Sequence, residues 1–235
     1  MTKTPEEFAK RVETLKVSLV EQGRLVQRVL ESAFAALFAR DAAMARAVIG
    51  DDDAVDSADV AIEKNAVSLL ADATRAGAQL EASQLRWVLT IVKINNELER
   101  IADEATEVAQ LVEPLSGISA TLPDTFRLMA NSIVGILRDA NSSLQHSDPN
   151  LAKVVLKSEH CVSAFKSAIL RDAEERIARG LMSVDFAFRL HEMASRCEVV
   201  ADHCTNIAEQ VIYCTTGAIV RHTQAEWIEV GQGAK

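Results

Sequence analysis

Apolar side chains recur every three or four positions along most of this chain, which is the spacing that puts them on one face of an α-helix. The first such stretch runs from about Pro5 to Ala39. Five more follow, at about residues 43–76, 82–112, 124–145, 149–179 and 181–217, mostly separated by glycine or proline. Helices of about 30 residues are long for a globular protein, and with short connections they are typical of antiparallel bundles.

A stretch that holds Pro114, Gly117 and Pro123 divides the chain after the third predicted helix. It predicts a first domain at residues 1–115, a second at residues 121–220 and a C-terminal tail at residues 221–235.

The two halves also resemble each other. Residues 41–49 (DAAMARAVI) correspond to residues 148–156 (DPNLAKVVL) at an offset of 107. Residues 99–103 (ERIAD) correspond to residues 198–202 (EVVAD) at an offset of 99. Two matches separated by a single deletion indicate a duplication. The prediction is an all-α protein made of two tandem, pseudo-symmetric three-helix bundles.

The amino-acid composition supports a helical fold and excludes some classes of function. The aromatic content of 4%, with nine glycines and four prolines, disfavours sheets. A net charge of −9 with scattered basic residues argues against a nucleic-acid partner. No apolar stretch reaches the roughly 20 residues of a membrane span, and the N-terminus lacks a secretory segment, so we predict a cytoplasmic protein. The cysteines are predicted to be buried, reduced thiols: Cys161, Cys197, Cys204 and Cys214.

Two pairs of carboxylates are candidates for a metal site. Glu99 and Asp103 stand four positions apart on the third predicted helix, so both project from one face. Asp52 and Asp56 form a similar pair on the second helix. Both pairs lie at about the same distance from the turn at Gly77, so antiparallel helices would bring them to the same height. Hard cations favour several carboxylate oxygens, which predicts a metal ion between the pairs.

The second half carries an incomplete copy of this arrangement. At the offset of 107, Asp52 corresponds to Glu159, but Asp56 corresponds to Ser163. Three carboxylates therefore remain: Glu159, Glu198 and Asp202. One interpretation is a weaker carboxylate site, and another is a site for zinc or iron with softer ligands from nearby histidines and cysteines. A third interpretation is that this second site has decayed. The nearby softer candidates are His160, Cys161, Cys197 and His203.

Patterns typical of catalysis are missing from the sequence. No two helices carry the Glu-x-x-His pairs of di-iron enzymes, and His191-Glu192 has no second histidine four positions after the first. A glycine-rich phosphate-binding loop is also missing. We therefore predict that the protein is not an enzyme.

Two motifs resemble the signatures of the PhoU family of phosphate-transport regulators. Residues 83–86 (SQLR) and 97–105 (ELERIADEA) are similar to its first-repeat signature. Residues 198–209 (EVVADHCTNIAE), with Gly217 and Arg221-His222, are similar to its second-repeat signature. The resemblance runs in order from Gln22-Gly23 to His222. It departs from the family pattern at Ser163, where a carboxylate is expected, and at Val199, where arginine is expected.

The resemblance implies a fold and a function. Such proteins are pairs of three-helix bundles that often form homodimers, and they are negative regulators of phosphate uptake and of the phosphate-starvation response. The resemblance implies, as partners, the ATPase of the phosphate ABC transporter and a membrane sensor kinase. It also implies clusters of metal ions, iron or zinc first, with magnesium or manganese as further candidates. Carried over, the ligands are Asp52, Asp56, Glu99 and Asp103 in the first cluster and Glu159, Glu198 and Asp202 in the second.

Two other functions stay open from the sequence. Divergent relatives serve other phosphate transporters as accessory subunits. The same carboxylates also suit a carboxylate-bridged metal enzyme or a metal-storage bundle.

Overall fold

The computed structural model describes residues 5–223 and 226–230. This part of the chain forms seven helices, six of them long, and one β-hairpin. The helices are α1 Pro5–Ala39, α2 Ala42–Ala76, α3 Ala82–Gln110, α4 Val112–Ser116, α5 Asp124–His146, α6 Pro149–Ala178 and α7 Val184–Thr216. The predicted all-α fold of six long helices is confirmed. The last helix begins at Val184 because the Ser183 side chain caps it, accepting a hydrogen bond from a backbone N–H at 3.2 Å.

Equivalent caps begin the second helix of each bundle. Asp41 precedes α2 and Asp148 precedes α6, and each carboxylate accepts hydrogen bonds from the backbone N–H groups two and three residues on. The residue before each cap is left-handed, with φ of 52° at Arg40 and 51° at Ser147. These matched backbones lie 107 positions apart, the offset read from the sequence, and they support a duplication.

The segment between the bundles is more ordered than predicted. It contains the short helix α4, in which Pro114 is the third residue. Proline is tolerated there because first-turn N–H groups have no intrahelical acceptor. The Arg40 guanidinium donates to the carbonyls of Ile118 and Ala120, which ties the segment to the turn between α1 and α2.

The helices pack as two bundles that share one core. α1, α2 and α3 pack against one another, and so do α5, α6 and α7. The bundles meet where α3 contacts α7 and where α1 contacts α5, and their buried apolar side chains form one continuous cluster. α3 and α7 are antiparallel, because Glu97 contacts His203 while Glu104 contacts Arg196 further along.

A glycine allows the close approach of α1 and α5. The Asn141 side chain of α5 donates from Nδ2 to the backbone oxygen of Gly23 at 2.8 Å, and both residues are buried. A Cβ atom on Gly23 would lie 2.5 Å from Oδ1 of Asn141. This contact explains why a glycine stands inside a long helix.

The C-terminal region contains a hairpin that the sequence interpretation missed. Strand β1, Ile219–Thr223, pairs antiparallel with β2, Glu226–Val230. The hairpin begins before the predicted tail, and β1 contacts α7. An ion pair of 2.5 Å between Arg221 and Glu209 joins them.

The cysteine prediction is wrong at one position. Cys197, Cys204 and Cys214 are buried free thiols, but Cys161 is exposed. Cys161 directly precedes the buried Val162 on α6, and neighbouring positions of a helix point in different directions, so only Val162 faces the core. None of the helices in the described residues has the length and apolar character that crossing a bilayer requires.

Candidate metal centre

The structure brings the four predicted carboxylates of the first bundle together. Asp52 and Asp56 on α2 face Glu99 and Asp103 on α3. The helices are antiparallel at this level: Asn95 of α3 donates from Nδ2 to Oδ1 of Asp59 of α2 at 2.6 Å, while Asp103, later on α3, lies near Asp52, earlier on α2. The height match predicted across the Gly77 turn is therefore present.

The cluster concentrates negative charge. Burial raises the pKa of Asp52, and the neighbouring carboxylates Asp56 and Asp103 raise it further. Burial likewise raises the pKa of Glu99, and the negative charges of Asp103 and Asp59 raise it further. The pKa of Asp103 is raised by burial and by Asp56, against opposing effects of Arg100 and of a hydrogen bond with Glu99. The cluster thus favours protons or another positive charge.

One oxygen of the cluster has no hydrogen bond. Oδ1 of Asp52 is buried and has no hydrogen-bond partner. A buried acceptor without a partner costs about 1–3 kcal/mol. Together with the carboxylate-only ligand set, this oxygen fits a hard metal ion.

The side chains are not arranged as a finished coordination sphere. Among the described residues, no three His, Cys, Asp or Glu side chains form a group that could hold a metal ion as they stand. Glu99 and Asp103 also line a cleft of about 640 Å³, but the rest of its lining belongs to α3 and α7 and not to α2. The metal site therefore stays a prediction, with Asp52, Asp56, Glu99 and Asp103 as its ligands.

The second predicted site has a different environment. Glu159 and Asp202 line another cleft, of about 890 Å³, beside the N-terminal half of α3. Both carboxylate oxygens of Glu198 already accept hydrogen bonds: Lys166 donates to Oε2 at 2.6 Å and Ser163 donates to Oε1 at 3.1 Å. Although burial opposes it, these hydrogen bonds lower the pKa of Glu198. The residues present do not fit a metal ion at this position.

The softer ligands considered for the second site do not converge. His160 and Cys161 are exposed, whereas Cys197 is buried and its pKa is raised to about 12 by burial. His203 contacts Glu97 of α3, with 2.7 Å between Nδ1 and Oε2. A thiolate–histidine site for zinc or iron has no support in these positions.

Sequence reasoning missed a polar network between the bundles. Oε2 of Glu97 also accepts from Nδ2 of Asn206 at 3.0 Å. Burial alone would raise the pKa of Glu97. The hydrogen bonds with His203 and Asn206 outweigh that effect, so the pKa of Glu97 is lowered. The spacing of Glu97, His203 and Asn206 within the motifs gave no sign that α3 and α7 would pack together. Lys166 was also missed, although the offset of 107 relates it directly to Asp59, an acidic neighbour of the Asp52 and Asp56 pair.

Fold and site together define a class: all-α proteins of two three-helix bundles, with a carboxylate cluster between the last two helices of the first bundle. Comparison with known proteins makes the class specific. The family model of the PhoU domain matches the chain twice, over residues 19–112 and 126–211. The chain belongs to the PhoU family of phosphate-transport regulatory proteins.

Similar proteins match over most of their length. The phosphate-specific transport system accessory protein PhoU homolog 1 of Thermotoga maritima is 30% identical over 212 residues, which is 89% of each chain. The accessory protein PhoU of Edwardsiella tarda is 26% identical and covers 96% of this chain and 91% of its own.

Solved structures share the fold. The crystal structure of PhoU from Pseudomonas aeruginosa superposes with a TM-score of 0.82 at 27% identity, covering 89% of this chain and 99% of that one. The regulatory protein PhoU from Streptococcus pneumoniae superposes with a TM-score of 0.83 at 23% identity, covering 92% and 100%.

Proposed function

We propose that this protein is a cytoplasmic, non-enzymatic negative regulator of phosphate uptake and of the phosphate-starvation response. It acts as a metal-binding adaptor between the ATPase of the phosphate ABC transporter and a membrane sensor kinase. The observation that carries the proposal is the double match to the PhoU domain, over residues 19–112 and 126–211. Relatives that align with nearly the whole chain bear the name of phosphate-transport accessory proteins.

The charge of the chain supports docking onto partner proteins. The net charge is −9, from 34 acidic and 25 basic residues. Charged surfaces of this kind give specificity and fast association with complementary partners. In this proposal the protein reaches its membrane partners through these charged surfaces.

The metal-binding part of the proposal belongs to the first bundle. Asp52 and Asp56 offer oxygens from α2, and Glu99 and Asp103 offer them from α3. A metal ion bound there would supply the positive charge that offsets their mutual repulsion. Iron and zinc are the first candidates, and the oxygen-only ligand set also suits manganese and magnesium. Because the ligands come from two helices, a bound ion stabilises the folded bundle.

A homodimer is the proposed assembly. Most soluble oligomers are symmetric dimers, and a dimer offers two equal docking surfaces. Sedimentation of the purified chain tests this point: a molecular mass twice that of the 25.6 kDa chain supports it, and a single-chain mass contradicts it.

Capture from membranes tests the adaptor role. The full-length chain is immobilised and incubated with detergent-solubilised membranes of the source cells, and the bound proteins are identified by mass spectrometry. We expect the transporter ATPase and the sensor kinase to be enriched, and less of both with the variant Glu99→Gln/Asp103→Asn. The matched control, Glu174→Gln at an exposed position of α6, should bind as wild type. Capture of neither partner contradicts the adaptor role.

The enzyme alternative has a separate test. If the carboxylates catalyse a reaction, metal-loaded protein turns over a phosphate ester and Asp103→Ala does not. We expect no turnover above background in either protein.

A further inference from the structure

The duplication assigns a counterpart to every member of the first cluster. On the α2–α6 pair the offset is 107, and on the α3–α7 pair it is 99. The matched caps at Asp41 and Asp148 support the first offset in the structure. The counterparts are Asp52 with Glu159, Asp56 with Ser163, Asp59 with Lys166, Glu99 with Glu198 and Asp103 with Asp202.

Lys166 reverses the charge at one of these positions. Asp59 in the first bundle adds a carboxylate near Glu99 and accepts a hydrogen bond from Nδ2 of Asn95 at 2.6 Å. Lys166 in the second bundle instead places an ammonium group 2.6 Å from Oε2 of Glu198. Five carboxylates in one bundle thus correspond to three carboxylates, one hydroxyl and one ammonium in the other.

The ion pair occupies the oxygens that a metal ion would need. Lys166 contacts one oxygen of Glu198, and Ser163 donates to the other at 3.1 Å. The side chains of Lys166 and Glu198 are only 20% and 32% exposed, so water screens this pair incompletely. An ammonium group has three donors and no acceptor, so it cannot ligate a cation and repels one.

The two bundles therefore compensate their carboxylates differently, although Arg100 of the first bundle, whose counterpart is Val199, offsets part of the negative charge at Glu99 and Asp103. In the first, clustered carboxylates have an orphaned oxygen on Asp52. In the second, an internal cation already compensates the equivalent glutamate.

We propose that Lys166 permanently supplies, in the second bundle, the positive charge that the first bundle takes from a bound metal ion, so that this chain binds metal in its first bundle alone. The inference rests on the metal-binding part of the proposed function. It also goes beyond it, because the PhoU resemblance implies a cluster in each bundle. The second bundle would then keep its geometry whatever the supply of metal, and only the first bundle would respond to it.

Removing each ligand pair separately tests where metal binds. The metal-free, full-length protein is titrated with Fe²⁺, Zn²⁺ and Mn²⁺ in separate calorimetric experiments, and metal content is measured by elemental analysis. We expect Glu99→Gln/Asp103→Asn to reduce bound metal to background and Glu198→Gln/Asp202→Asn to leave it unchanged. A loss of half or more of the metal in the second variant overturns the inference.

Restoring the acidic pattern tests the role of Lys166. The variant Ser163→Asp/Lys166→Asp gives the second bundle the ligand types of the first, and we expect about twice the metal per chain. Lys153→Asp makes the same lysine-to-aspartate change, of two charge units, at an exposed lysine of α6 and should leave metal content unchanged. If the double variant does not fold, judged by circular dichroism, Lys166→Gln removes the cation while keeping a hydrogen-bond donor. We then expect metal content above that of wild type.

The outcomes separate this inference from the proposed function. If wild type binds metal and neither Lys166 variant gains any, the inference fails while the first metal site stands. If wild type binds none but a Lys166 variant acquires metal, Lys166 is the excluding cation and the first site fails. If no protein binds metal, the inference is overturned as well.

Discussion

Substituting Gly23 by alanine tests how closely the two bundles pack. Alanine is the better helix former by about 1 kcal/mol, so the substitution would stabilise an unconstrained position of α1. At Gly23, however, the new Cβ atom would lie 2.5 Å from Oδ1 and 3.0 Å from Cγ of Asn141. Asn141 is buried, so its side chain cannot simply turn into solvent. The contact therefore opposes the gain in helix propensity.

The expected loss of stability follows from two terms. Moving Asn141 breaks its 2.8 Å hydrogen bond to the backbone oxygen of Gly23, and leaving buried polar groups unpaired costs about 1–3 kcal/mol. Overpacking costs about 1–3 kcal/mol more where the helices cannot separate freely. After the gain in helix propensity, we expect a net loss of about 1–5 kcal/mol in the free energy of unfolding. For a chain of this size, each 1 kcal/mol lowers the melting temperature by about 2–4 °C.

Gly50 provides the matched control. It also lies inside a helix, α2, but a Cβ atom there would meet nothing within 4 Å. Gly50→Ala should therefore stabilise the protein by about 0.5–1 kcal/mol. Urea denaturation followed by circular dichroism measures both variants. A Gly23→Ala variant as stable as Gly50→Ala would refute the close approach of α1 and α5. Adding Asn141→Ala to Gly23→Ala should recover part of the loss, since it removes the clash.

Three further predictions concern charge and thiols. Asp103→Asn should stabilise the metal-free protein at neutral pH by about 0.2–0.5 kcal/mol, because it removes a partly desolvated charge that Asp56 and Glu107 repel and that water partly screens. The pKa of Asp103 is raised in the folded state, so this advantage should shrink towards acid pH in denaturation curves. Arg196→Met should lower the free energy of unfolding by about 0.5–1.5 kcal/mol, because Arg196 donates hydrogen bonds to Glu104 at 3.1 Å and to Glu107 at 3.3 Å. The loss should be smaller at high salt, and an equal loss at low and high salt contradicts a charge effect. A thiol reagent should label Cys161 alone in the folded protein, and rapid labelling of more than one of the four cysteines argues against the buried positions.

Much of the fold could be predicted because it depends on local patterns. Helical spacing of apolar residues located the long helices, and Pro5–Ala39 agrees at both ends. Asp148-Pro149 began α6 as expected, since aspartate caps and proline fits the first turn. The short helix α4 was missed because Pro114 was taken as a breaker, although a proline in the first turn is compatible with a helix.

The first carboxylate cluster could be predicted because its geometry follows from a single turn. Counting residues from Gly77 places Asp52 and Asp103 at one height once α2 and α3 are antiparallel. Contacts between the bundles could not be predicted by counting residues from a turn, because no short connection joins α3 to α7. The network of Glu97, His203 and Asn206 therefore emerged from the structure alone.

Lys166 shows that a repeat has to be followed beyond its motifs. The offset of 107 was applied to Asp52 and Asp56 but not to Asp59, which lies one helical turn further on. That one step would have revealed the change from a carboxylate to an ammonium group. The contact with Glu198 still required the structure, because it depends on which rotamer reaches across to α7.

Phosphate uptake in a strain that lacks this protein tests the central claim most directly. Uptake of labelled phosphate and alkaline phosphatase activity are measured in cells grown with abundant phosphate, with and without the gene restored. A negative regulator of phosphate uptake predicts that both quantities rise in the deletion strain and return to normal on restoration. Unchanged uptake and unchanged phosphatase activity would contradict the proposed function.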